Sequence, residues 1–243
     1  MLPNSYRHSA SGANMFLSSP SAWLNKYGFG YREETNARMS MGLASEAATW
    51  HSLMQKLTDS QTSQLAMEKF DELREGEIAP EREYSGQIAI QFVKELRKRK
   101  LDIPLTYQSK KIVDIPDLNK QVIGFTDLGY DDLIVDLKAT LRCPTSITGE
   151  WQAGSVRQQA VYSILFNKPV ALLYGTPQKS AFFKVPQELL DRGWETMLGA
   201  WKRIEKIDNL CATAEEATEI IPLNPDSFYW KQEPYQQALK QWR

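Results

Sequence analysis

The chain has almost no cysteine. Two thiols, Cys143 and Cys211, in 243 residues cannot furnish a four-thiolate zinc or iron–sulfur site. They fit a reducing compartment better than a disulfide-stapled secreted domain. Long hydrophobic runs are also missing: no stretch approaches the roughly 18 apolar residues of a membrane-spanning helix, so no membrane partner is expected. The opening segment Met1-Leu2-Pro3-Asn4-Ser5-Tyr6-Arg7-His8 lacks the apolar core of a signal peptide, which makes a cytoplasmic location the expectation. Charge of one sign is absent as well. With a formal net charge of −1, the molecule as a whole does not attract nucleic acid, and any such binding needs a local basic patch. Arg97-Lys98-Arg99-Lys100, followed by Lys110-Lys111, is a candidate patch. It reads equally well as a solvated helix end whose cations favour the C-terminal dipole.

What is present suits a folded enzyme-sized chain, 42% hydrophobic and 24% charged, with no internal repeat or low-complexity linker. Ser18-Ser19-Pro20 caps a helix through Trp23 and Tyr27 that Gly28 and Gly30 end, so the first forty residues read as one helix framed by loops. The i, i+4 pair Trp23 and Tyr27 suits core packing better than base stacking. An alanine-rich helix follows over 38–54, then amphipathic helices over 60–76 and 82–100, expected to cover a sheet. Strands are predicted over 105–115, 168–174 and 180–185, with helices over 151–166 and 187–209; the second carries Leu190, Trp194, Leu198 and Trp201 as its seam. The proline-rich aromatic tail reads as a wrapped extension.

The most informative stretch is Ile123 to Lys138. Gln121 to Leu128 and Leu133 to Leu137 read as paired strands around the turn Gly129-Tyr130-Asp131-Asp132, and one aspartate interrupts the second apolar run. If Leu128 lies opposite Leu133, Asp136 pairs with Phe125 and Asp127 is its diagonal neighbour, within roughly 7–8 Å. The period of two puts Asp136 and Lys138 on one face and Val135 and Leu137 on the other, and a shift by two residues preserves this. Two carboxylates and an ammonium thus converge, a set that suits a hard cation such as Mg²⁺. On the helix over 38–54, Glu46 and His51 are further candidates, but they lie about 140° apart and do not face one site together. Gly42, one turn before Glu46, permits close approach by a backbone or ligand and favours Glu46.

Taken in order, Gly42-x-x-x-Glu46, Gly124-x-x-Asp127, Asp136-Leu137-Lys138 and Gln158-x-x-x-Tyr162 resemble the PD-(D/E)XK nuclease superfamily, specifically its RecB-like and lambda-exonuclease-like branch. Thr140 after the lysine resembles the D-x-K-x-T of that branch. The resemblance implies an α/β fold, a mixed central β-sheet flanked by α-helices (a restriction-endonuclease-like core). That core would span about 38–185 of a single domain over 1–243.

It also implies metal ligation by Glu46, Asp127, Asp136 and the Leu137 carbonyl, and water positioning by Lys138. Gln158 and Tyr162 would order the site and contact substrate backbone. Many RecB-like members carry histidine where Glu46 stands, which leaves the role of His51 open. The implied activity is Mg²⁺-dependent DNA hydrolysis, with Mn²⁺ as a substitute and no iron–sulfur cluster. The expected enzyme is an exonuclease on linear ends in recombination, repair or phage DNA metabolism. A homo-oligomer and a single-strand-annealing or recombination partner protein are expected with it. The alternatives are a structure- or sequence-specific endonuclease of the same fold, or a catalytically silent DNA-binding relative. The helix around Trp23, the helix bearing Glu46 and the aromatic tail are candidate walls of a DNA channel.

Overall fold

A computed structural model of the chain describes residues 1–31, 35–75, 78–226 and 232–242. The chain begins with β1 (His8–Ser9), α1 (Ala10–Ser18) and α2 (Pro20–Tyr27). Each of these helices starts on a serine: Ser9 Oγ accepts the Gly12 N–H, and Ser19 Oγ accepts the Ala22 N–H ahead of Pro20. The predicted single helix is therefore two, preceded by a strand. The segment Ala10–Ser18, rich in small and polar residues, has little helix propensity of its own. Burial of Ala13 and Phe16 holds it in place.

Three helices follow, α3 (Ala37–Gln55), α4 (Asp59–Arg74) and α5 (Glu81–Lys98). A Thr58–Gln61 capping box starts α4. Contrary to expectation, α4 packs on α3 and α5 rather than on the sheet, because Ala48, Ala66 and Ala89 let the three helices approach closely. The predicted end of α4 at residue 76 lies outside the described residues. Next come β2 (Thr106–Val113), β3 (Val122–Gly129) and β4 (Ile134–Ala139). A 3₁₀ turn (Glu150–Gln152) then leads into α6 (Ala153–Phe166), β5 (Val170–Gly175), β6 (Ser180–Lys184) and α7 (Gln187–Leu210).

The sheet is mixed. Its order is β1-β3-β4-β5-β6 with β2 on the far edge of β3; β2/β3, β3/β4 and β5/β6 are antiparallel. β4 and β5 run parallel and are joined by α6, as a parallel pair requires a crossover. Helices cover both faces, so the fold is α/β. On one face Trp23, Leu165, Leu172, Trp201 and Ile204 form a core with α1, α2, α6 and α7. On the other, Ile88, Phe92, Val135, Leu137 and Leu173 form a core with α3 and α5. Residues 134–138 of β4 thus alternate: Ile134 faces α6, Val135 and Leu137 face α5, and Asp136 and Lys138 share the α6 side.

The seam of α7 is Leu190, Gly193, Met197, Trp201 and Ile204, with Trp194 and Leu198 only half-buried. Gly193 shifts the contact line: a Cβ there would come within 2.9 Å of Ala160 Cβ. The tail is helical where described, as α8 (Ala214–Ile220) and α9 (Gln232–Gln241), rather than a wrapped extension. The Trp242 indole anchors it by donating to Ile221 O at 2.7 Å. Among the described residues no helix is long and apolar enough to cross a membrane.

Candidate active site

β3 and β4 pair only beside their turn, with Leu128 opposite Val135 and Gly129 opposite Ile134. The Tyr130 N–H donates to Leu133 O at 2.8 Å. The register is therefore shifted by two residues from the expected Leu128–Leu133 match. Tyr130 and Leu133 bury their side chains in the α3/α5 core and are drawn out of the ladder into the turn. The shift preserves parity, and continuing it places Asp127 directly across from Asp136 instead of diagonal to it.

The same edge of β3 is taken at its other end by β1, through His8↔Val122 and Ser9↔Ile123, because β2 fills the opposite edge along the whole of β3. Between these pairings, residues 124–127 have no strand partner on this side, among the described residues. The sheet is split there. Helix α6 leans into the opening, and Gly124 permits it: a Cβ would lie 2.7 Å from Leu165 Cδ1 and 3.3 Å from Tyr162 Cδ1. In place of a backbone rung, the Asp127 carboxylate bridges the gap by accepting the Leu137 N–H at 2.6 Å.

Asp136, 1% exposed, projects into the split. Its Oδ2 is ion-paired with Lys138 Nζ at 2.5 Å. Lys138 Nζ donates to Gln158 Oε1 at 2.9 Å, and Gln158 Nε2 donates to the Tyr162 hydroxyl at 2.5 Å. The i, i+4 spacing on α6 thus makes one relay, Tyr162–Gln158–Lys138–Asp136. Glu46 enters from α3, where Gln108 Nε2 donates to its Oε1 at 3.0 Å.

The electrostatics follow from confinement. Burial first, then the charges of Asp136 and Glu46, push the Asp127 carboxyl well above the usual range. Burial and then Asp136 also raise Glu46, against the pull of Gln108 and Lys138. Burial opposes the Lys138 charge, but Asp136 and Asp127 overcome it and hold the ammonium above the ordinary lysine value. Burial is also the main cause of the raised Tyr162 hydroxyl.

Of the residues singled out from the sequence, Asp127, Asp136, Leu137, Lys138, Gln158 and Tyr162 thus meet around the split, and Glu46 reaches the field of the two aspartates from α3. His51 is half-buried on α3 and takes no part in this network. Gly42 does not serve close packing by the protein, since a Cβ there would meet nothing within 4 Å. Trp23, fully buried against Phe16, Tyr6 and Tyr27, is core and cannot line a channel. The aromatic run Phe228-Tyr229-Trp230 lies outside the described residues.

The basic run at the end of α5 is engaged locally. Arg97 donates to Leu57 O, Arg99 pairs with Glu95 and covers the Phe182 ring, and Lys98 lies 3.8 Å from Glu95. Sequence reasoning overlooked Tyr107 and Gln108. Neighbours on a strand normally face opposite sides, so no pattern linked them to Glu46.

The donors suit a hard divalent cation, which would share the buried Asp136 oxygen that stands against Lys138. Among the described residues no three His, Cys, Asp or Glu side chains stand close enough to form a ready-made metal cluster. Lys138 is the counter-ion of the Asp127–Asp136 pair. No family model and no curated protein matches the chain. A solved structure described as the crystal structure of SSO0001 is similar to it at 14% identity and a TM-score of 0.30, covering 76% of this chain and 85% of that one.

Proposed function

We propose that the chain is a metal-dependent deoxyribonuclease of the PD-(D/E)XK kind, degrading linear DNA from its ends. The observation that carries this reading is the split between β3 and β4, where Asp127 and Asp136 meet across the gap and Lys138 stands against Asp136. Glu46, Asp127, Asp136 and the Leu137 carbonyl would hold a divalent cation, whose contribution is activation of water and stabilisation of charge at phosphorus.

The chain's own residues supply the rest. Lys138 brings a fixed positive charge to the place where a phosphodiester gains negative charge, and Gln158 locks its orientation. Tyr162, receiving a hydrogen bond from Gln158, keeps its own hydroxyl hydrogen for a phosphate oxygen. The preference for ends is supported by the net charge of −1. Weak long-range attraction for duplex leaves substrate capture to local confinement.

The test is incubation of the protein and its Asp136→Ala variant with end-labelled linear DNA and covalently closed circles, in Mg²⁺ and in chelator. Mg²⁺-dependent loss of linear DNA, absent in the variant and with circles spared, is expected. Circles cut as fast as linear DNA would make the enzyme an endonuclease, and activity that survives chelator or the substitution would remove the metal reading.

A further inference from the structure

Strand alternation fails at one level of the sheet. Val113 and Val122, paired near one end of β2 and β3, pack with the α6/α7 core, whereas Tyr107 and Leu128, paired near the other, pack with the α3/α5 core. Within each strand these residues are an even number of positions apart, and a regular strand would keep them on one face. The break coincides with Gln108, whose φ of 48° is one that L side chains rarely adopt. Tyr107↔Leu128 and Ser109↔Thr126 keep the same register on either side, so no inserted residue explains it.

The consequence is local convergence. Tyr107 and Gln108, which a regular strand would point apart, meet with Gln108 Nε2 donating to the Tyr107 hydroxyl at 3.2 Å. The same Nε2 donates to Glu46 at 3.0 Å. One turn beyond Glu46, the Trp50 ring stacks on Tyr107 at 5.4 Å and 13°. Helix α3 therefore docks on β2 through two adjacent pairs, and both need the turned backbone at position 108.

We infer that Gln108 is a positioning residue: its amide holds one oxygen of Glu46 and sets that carboxylate toward the Asp127–Asp136 pair. This rests on the reading of the three carboxylates as ligands of a divalent cation. A left-handed glutamine within a strand costs stability and persists where surrounding contacts over-determine it. Here those contacts are the Glu46 hydrogen bond and the Trp50–Tyr107 stack.

The probe is Mn²⁺ binding to the full chain, measured by the resonance of the free ion alongside melting temperature. Gln108→Ala and Gln108→Gly are expected to weaken Mn²⁺ binding by on the order of tenfold, as loss of a group orienting a metal ligand does. Gln108→Asn keeps an amide and tolerates the left-handed backbone, so part of the affinity returns. Gln108→Gly, freed of the backbone penalty, melts above Gln108→Ala yet binds Mn²⁺ as weakly. Cleavage at saturating Mn²⁺ approaches the wild-type rate in both, with only the metal requirement shifted. In a Glu46→Ala background, Gln108→Ala adds no further loss.

Affinity that follows melting temperature instead of the amide would reduce Gln108 to a structural role and overturn the inference. So would unchanged Mn²⁺ binding by Gln108→Ala beside a clear loss in Asp136→Asn. Wild-type binding by Asp136→Asn would instead refute the metal reading, and the inference with it.

Discussion

Asp127 is held in a state that costs the fold. Burial and two neighbouring carboxylates disfavour its charge, and together they outweigh the Lys138 ammonium and the hydrogen bond from the Leu137 N–H. Asparagine keeps an acceptor for that N–H and removes the repulsion. Asp127→Asn is therefore expected to abolish cleavage while raising the melting temperature, by about 2–4 °C for each kcal/mol of relief in a chain of this size. A calorimetric scan without metal checks this; a fall in melting temperature would show the carboxylate to be stabilising.

Glu46 and His51 give a second contrast. Glu46 shares the field of Asp136 and Lys138, and His51 takes no part in the network. Glu46→Gln is expected to lose most metal-dependent activity, with His51→Ala retaining most of it, in a Mg²⁺ titration of cleavage rate. The opposite ranking would move the ligand role to the histidine.

The two glycines that looked alike in the sequence differ at the level of elements. Gly124 lets α6 close on β3, so Gly124→Ala must displace Leu165 and Tyr162, at a cost of roughly 1–3 kcal/mol for overpacking. Gly42 faces open space, and Gly42→Ala is expected to raise stability by up to about 1 kcal/mol through helix propensity. Denaturant melts of the two variants decide this. If Gly42→Ala also weakens DNA binding, the space above it belongs to substrate.

The α/β class and the site's face were legible because parity in a strand survives a shift by two. Asp136 and Lys138 share a side in either register. The helix Ala10–Ser18 and the tail helices were not legible, since tertiary burial rather than propensity forms the first, and prolines dominated the reading of the tail. Gln108 was hidden for a different reason: its backbone conformation depends on α3, which is far away in sequence.

Across the molecule, a buried polar anchor ties the N-terminal strand, the β2–β3 connection and α7 together. Glu205 accepts hydrogen bonds from the Asn119 and Lys120 N–H groups, each at 2.9 Å, and lies 3.0 Å from His8 Nε2. Burial opposes the Glu205 charge, but these donors hold its carboxyl below the usual range. Burial holds the His8 imidazole below its ordinary value despite Glu205. Both depressions make the unfolded chain take up more protons than the folded one as pH falls. The His8 contribution begins to be lost below its ordinary 6.5. The Glu205 contribution is present above its ordinary 4.5 and is lost as pH falls through its lower folded value. Melting temperature is therefore expected to drop in two stages on acidification. Glu205→Gln should shrink the lower stage, which Asp208 shares, and cost on the order of 3 kcal/mol at neutral pH. A single acid transition unchanged in this variant would mean that the anchor does not govern acid unfolding.

The hydrogen bond from the Leu137 N–H to Asp127 gives the protein a built-in reporter. Most strand amides are donated to a neighbouring carbonyl and are indifferent to what the side chains hold. This one is donated to a carboxylate, so its proton resonance and its solvent exchange read the occupancy of that carboxylate directly. On titration with Ca²⁺, the Leu137 amide should shift more than those of Val135 or Leu173, which lie within the core of the sheet. A Leu137 resonance that stays still while the ion binds elsewhere would place the cation away from Asp127.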